Sequence, residues 1–166
     1  RAYPNKKQRE LFEKTFGCCR FVYNYYLEAK QQVWNEWHDT LSYSEMSKDL
    51  SHVLKKENAW LKEADSIALQ QSLRHLDRAY DNFFKRRGGY PKFKRKRSAQ
   101  SYRTMSGNGN ISIEGNMINL PKAGYVKIVN TRIFEGRIIS ATVSRTASDR
   151  YYISLQVEEE FEVLPN

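Results

Sequence analysis

Cysteine is nearly absent from this 166-residue sequence. Its two cysteines, Cys18 and Cys19, are adjacent, too few for a disulfide framework and wrongly spaced for zinc. Free thiols packed on a helix in a reducing compartment are expected. Histidine is scarce too: His38, His52 and His75 are scattered, without metal-ligand spacing or a neighbouring nucleophile. No apolar run reaches membrane-spanning length and no signal peptide is visible, so a soluble cytoplasmic protein is expected. Carboxylates cluster in the first half and in the terminal VEEEFEV, but none sits in a strand-end motif that would hold magnesium. No glycine pattern resembles a phosphate-binding loop. The chain alone is therefore not expected to be an enzyme. It opens without Met, on RAYPNKKQ, and closes on EVLPN, which reads as a fragment of something longer.

What the sequence has is positive charge, unevenly placed. The net charge is +9, with hydrophobic residues at 40% and aromatics at 13%, the balance of a folded protein with a polyanionic partner. The stretch FFKRRGGYPKFKRKRSAQSYR, residues 83–103, holds nine cations and no acid. Lys85, Arg86 and Arg87 close a predicted helix, where cations suit the negative end of its dipole. Lys92, Lys94, Arg95, Lys96 and Arg97 follow in a segment that Pro91 biases towards extended backbone, and Arg103 lies just beyond. Tyr90, Phe93 and Tyr102 stand among them, able to stack on bases or to anchor the segment to the core. A solvated loop is the plain alternative. The density of cations and the interleaved rings favour nucleic acid, without separating DNA from RNA.

Around this segment the hydrophobic period changes once. Residues 5–37 carry helical spacing through Phe12, Phe16, Cys19 and Tyr23, with Gly17 a candidate break between two helices. Ser42 and Glu45 form a capping box ahead of a stripe of Met46, Leu50, Val53 and Leu54. Asp65 caps a third helix bearing Leu69, Leu73, Leu76, Tyr80, Phe83 and Phe84, which Gly88-Gly89 and Pro91 should end. After about residue 104 the period becomes two. NISIEGNMINL reads as one hairpin; RIISATVSR and YYISLQVE, joined by TASD, read as another. Ile139, Ala141, Val143, Tyr151, Ile153, Leu155 and Val157 should face inward. The fold class is α+β: a helical bundle with a small antiparallel β-barrel, to which RAYP could add a strand.

Polar residues that could read bases are Tyr43, Ser47, Gln70 and Asn108, though from spacing alone capping, solvent exposure and turn chemistry explain such residues better.

The blocks YPNKKQRELFEKTFGCCRFVYNYYLE, ADSIALQQSLRHLDRAYDNFFKRR, GYPKFKRKRSAQSYRT, GNISIEGNMINLPKAGYVKI and GRIISATVSRTASDRYYISLQVE closely resemble successive blocks of TnpB. This family, also called OrfB, comprises transposon-encoded RNA-guided DNA nucleases, and the likeness covers almost the whole chain in the family's block order. It implies a helical recognition domain (residues 5–97) inserted after the first strand (1–4) of an oligonucleotide-binding-like wedge barrel (98–166). It implies guide RNA and DNA as partners, no membrane, and prokaryotic, nucleoid-associated cytoplasm as the location. Lys85, Arg86, Arg87, Lys92, Lys94, Arg95, Lys96, Arg97 and Arg103 would follow nucleic-acid backbone. Tyr43, Ser47, Gln70 and Asn108 match family positions that contact a transposon-adjacent DNA motif. Ser66, Ile67 and Gly107 depart from Lys, Phe and Thr of another member, so the resemblance does not carry over that member's preferred motif. The RuvC-like nuclease and zinc ribbon of the family, with their magnesium and zinc, do not appear before Asn166, so no cofactor is expected in this chain. Two other readings are a nuclease-dead RNA-guided DNA-binding regulator and a stand-alone helix-turn-helix transposase accessory.

Overall fold

A computed structural model describes residues 1–160 except 98, 130, 131 and 133. The chain begins with a two-residue strand, β1 (Ala2–Tyr3), and then builds all its helices before returning to strands. Helix α1 (Lys6–Trp37) starts at a capping box in which Asn5 and Gln8 each bond the other's backbone N–H. It runs unbroken through Gly17, so the expected break is absent. One glycine costs about 1 kcal/mol in a helix interior, less than the burial of Phe12, Phe16, Val22, Tyr26 and Leu27 on the same helix returns.

Helix α2 (Tyr43–Asp49) begins at the Ser42–Glu45 capping box and continues through a π-helical turn, Leu50–Leu54, into α3 (Lys55–Glu57). The wide turn keeps Met46, Leu50 and Leu54 inward at four-residue steps. Val53, expected in that stripe, is turned outward and is 43% exposed. A 3-10 turn (Ala59–Glu63) leads to α4 (Ser66–Phe84), where the Asp65 side chain accepts the Ile67 N–H.

Among the described residues seven strands form one antiparallel sheet: β1, β2 (Gln100–Met105), β3 (Ser112–Glu114), β4 (Met117–Leu120), β5 (Gly124–Ile128), β6 (Arg137–Arg145) and β7 (Tyr151–Glu158). Their spatial order is β2-β6-β7-β1-β5-β4-β3. Strand β1 stitches the two halves together, pairing Ala2 with Ile128 on one side and Tyr151 on the other. Both expected hairpins are present, β3–β4 turning at Gly115 (φ 58°) and β6–β7 at residues 146–149.

Two expectations are corrected. Among the described residues no pairing joins β2 to β3, so the sheet is open and not a closed barrel. β2 instead packs against α1 and α4, and with them and the basic segment it lines a cavity. A bulge between Ile138 and Ser140 also flips side-chain parity, so Ile138, and not Ile139, packs against the core. Ala141, Val143 and Tyr151 are buried as expected; Ile153 and Leu155 pack against the core half-buried. Val157 is half-buried opposite Ile138. Helices and sheet meet at Phe12, whose ring centroid lies 6.2 Å from that of Tyr102 and 5.9 Å from that of Tyr151. Gln8 fastens the start of α1 to β5 by donating to the carbonyls of Ala123 and Tyr125.

The end of α4 differs from expectation as well. The helix stops at Phe84, and the left-handed residue after it is Arg86 (φ 56°), not a glycine. Arg86 N–H bonds Phe83 and Arg87 N–H bonds Asn82, the paired reverse bonds of a Schellman ending. An arginine in this conformation is strained where glycine is not. Arg86→Gly is expected to raise unfolding stability by up to about 1 kcal/mol. A lower urea midpoint would contradict that.

Candidate nucleic-acid interface

Residues 85–97 leave α4 as an irregular strap that lies across α1, and the reason is one side chain. The amide of Asn24 on α1 accepts from Lys94 N–H (2.8 Å) and donates to Lys94 C=O (2.9 Å). A strap without regular structure has no other partner for those groups, and the clamp fixes it at mid-length. Further on, Gln100 donates to the Lys96 carbonyl (3.0 Å) and accepts from Arg20 (2.7 Å). Pro91 is buried, while residues 92–97 are exposed.

The charge on this strap is largely unpaired. Of the nine cations only Lys85 meets an acid, Asp81 at 2.9 Å; the other eight form no salt bridge among the described residues. Lys94 turns its ammonium to 4.4 Å from the Tyr23 ring centroid, and burial holds its pKa below the usual lysine value. Arg103 donates to Ser140 and Gln156 on the outer face of the sheet.

The three aromatic candidates separate. Tyr102 is 5% exposed and packs on Phe12 and Phe16, so it anchors β2 and cannot stack on a base. Tyr90 stands edge-on to Tyr80 and Phe83, with its hydroxyl 3.1 Å from that of Tyr80. Tyr90 stays 45% exposed despite these contacts, and Phe93 is 48% exposed with no ring contact among the described residues, so both rings are open to a partner.

The fold brings together three of the four candidate readers. Tyr43 and Ser47, one turn apart on α2, both donate to the side-chain oxygen of Gln70 on α4, at 3.0 and 2.9 Å. That oxygen is thereby saturated, and the amide nitrogen has no partner among the described residues. Asn108 lies on a separate element, the 107–110 turn after β2, at φ 53°. It makes no hydrogen bond to the trio. The two places are nonetheless coupled, because Thr104 near the end of β2 donates to Asp65 at the start of α4.

Sequence reasoning missed three residues. Asn24 was hidden because its partner lies 70 positions away. Arg20 reaches 80 positions to Gln100. Arg74, whose guanidinium sits 3.7 Å from the Tyr43 ring centroid, was legible: Gln70, Arg74 and Arg78 recur at four-residue steps on α4. Among the described residues no three His, Cys, Asp or Glu side chains cluster as a metal site needs, and no helix is long and apolar enough to cross a membrane.

A helix-turn-helix domain of the OrfB/IS605 group matches residues 1–38. In the structure those residues are β1 and the single helix α1. The chain is 34% identical over 161 residues to the "Putative RNA-guided DNA endonuclease InsQ" of Escherichia coli strain K12, across 95% of this chain and 39% of that protein. It is 33% identical over 162 residues to a "Putative RNA-guided DNA endonuclease" of Streptomyces pristinaespiralis, across 96% of this chain and 40% of that protein. A third relative, "Virulence protein VsdF" of Salmonella dublin, is 39% identical over 104 residues, 57% of this chain and 87% of that protein. These likenesses define a chain related to proteins named as putative RNA-guided DNA endonucleases, with a helix-turn-helix domain match at its start. The chain belongs to the OrfB (TnpB) family. It spans about two-fifths of the length of the two endonuclease relatives.

Proposed function

We propose that this chain is the nucleic-acid-binding lobe of an RNA-guided DNA endonuclease of a transposon. In this reading the helices between β1 and β2 form a recognition domain inserted into a wedge domain related to oligonucleotide-binding barrels. The strap grips guide RNA and the guide–target heteroduplex by charge and shape. Cutting, and the magnesium and zinc it needs, belongs to a nuclease region outside these 166 residues. The observation that supports the reading most is the strap: seven cations without acid partners among the described residues, on a backbone already fixed by Asn24.

The readers of the adjacent DNA motif are Gln70, Asn108 and, through Gln70, Tyr43 and Ser47. Because two hydroxyls occupy the Gln70 oxygen, this amide presents donors, and its partner is a base acceptor such as guanine O6 or N7 or thymine O4. Bidentate pairing to adenine, which needs the oxygen as well, is disfavoured. Gln70→Ala should alter motif preference by about 1–3 kcal/mol while overall affinity changes less. Binding of duplex libraries by the wild type and this variant, with and without guide RNA, is the measurement. Equal loss on every duplex would remove Gln70 from readout, and tight motif binding without RNA would overturn RNA guidance.

VsdF favours a second reading, because this region accounts for most of that protein. A stand-alone DNA-binding accessory predicts that guide-free binding. A regulator without nuclease activity predicts RNA-dependent binding and no cleavage by the longer protein.

A further inference from the structure

Behind the strap lies a cavity of about 220 Å³, bounded by α1, α4, the strap and β2. Its floor is apolar, made by Phe16, Cys19, Ala68 and Tyr102. Its walls carry Arg20, Lys94, Arg95 and Arg103, with Ser72 and His75 on the α4 side and, among the described residues, no carboxylate in the lining. Arg20 spends one guanidinium nitrogen on Gln100, and Arg95 has no acid partner. Arg20 and Arg95 line this small space with Lys94 and Arg103 close by, and like charges so near one another repel. Resting on the nucleic-acid reading above, we propose that this cavity is a phosphate site, holding one phosphate group between Arg20 and Arg95 beside His75.

His75 gives the site a built-in reporter. Burial first, then the charges of Lys94, Arg78 and Arg103, lower its pKa to about 4. The groups facing it are Arg20 and Cys19 from α1, Lys94 and Arg95 from the strap, Arg103 from β2 and Arg78 on its own helix. A bound phosphate offsets those cations and favours the imidazolium, so the pKa of His75 must rise. By linkage, phosphate then binds more tightly as pH falls from the ordinary histidine range towards 4.

The shared chemistry is a phosphate, which either a strand or free phosphate supplies. The test follows the His75 ring resonances of the 166-residue chain by NMR through a pH titration. Samples contain chloride alone, inorganic phosphate at matched ionic strength, or a single-stranded RNA dodecamer. The expected result is an upward shift of roughly one pH unit or more. A shift with both ligands makes the cavity a general phosphate site; a shift with RNA alone assigns it to the strand. Arg20→Ala and Arg95→Gln should each abolish the shift, and Lys92→Gln should weaken RNA binding while leaving the inorganic phosphate shift in place. If neither ligand moves His75 the proposal is overturned, and fluorescence anisotropy of the same RNA then shows separately whether the strap reading stands.

Discussion

Asp65→Ala is expected to lower the unfolding free energy by about 1.5–5 kcal/mol, although Asp65 is not a large side chain. Its carboxylate does two jobs. One oxygen accepts the Ile67 N–H at 3.0 Å and caps α4; the other accepts the Thr104 hydroxyl on β2. Losing an aspartate cap costs about 0.5–2 kcal/mol. Thr104 is 1% exposed, so its hydroxyl would be stranded without water, adding about 1–3 kcal/mol. Since domains of this kind are stable by only about 5–15 kcal/mol, the loss is large. Urea denaturation should show a reduced midpoint at an unchanged slope. Adding Thr104→Val to Asp65→Ala should restore part of the loss, because no orphaned donor remains. If the double variant were less stable than Asp65→Ala alone, the bond would not be the cause. The position matters for recognition too: the same contact sets the start of α4, which carries Gln70, against the strand that leads to Asn108.

Local rules reach far in this chain, and fail where distant segments decide. Caps made α2 and α4 legible, since Ser42, Glu45 and Asp65 act within three residues of their targets. Gly17 misled because a local penalty was weighed without the buried face of a 32-residue helix. Strands β2 and β5 escaped notice because each is defined by its partners. β2 carries Arg103 between its inward Tyr102 and Thr104 and pairs with β6 about forty residues later. The barrel expectation failed at the same strand, which packs against α1 and α4 and, among the described residues, does not pair with β3. For the interface, the charge of the strap was plain in the sequence, whereas its attachment was not. The resemblance pointed to Tyr43, Ser47 and Gln70 separately; only the fold reveals two hydroxyls on one amide oxygen.

Replacing Lys92, Lys96 and Arg97 together by glutamine should weaken binding to every nucleic-acid sequence alike. All three are exposed and none meets an acid among the described residues, so the folded state loses no ion pair. If the strap contacts about five phosphates, wild-type affinity for duplex DNA falls with a log–log salt slope of roughly −4.5. Removing three contacts flattens that slope by about 2.7 and costs about a hundredfold in affinity near 0.15 M salt. Asn24→Ala separates charge from order. It leaves every cation in place, so the slope should stay near the wild-type value. Affinity should nevertheless fall several-fold, because a strap released from α1 must be ordered at the moment of binding. Equilibrium binding from 0.05 to 0.3 M salt distinguishes the two variants. A triple variant with the wild-type slope would show that the cations never meet phosphate. An Asn24→Ala slope as flat as that of the triple variant would show that the clamp, and not the charge count, governs contact.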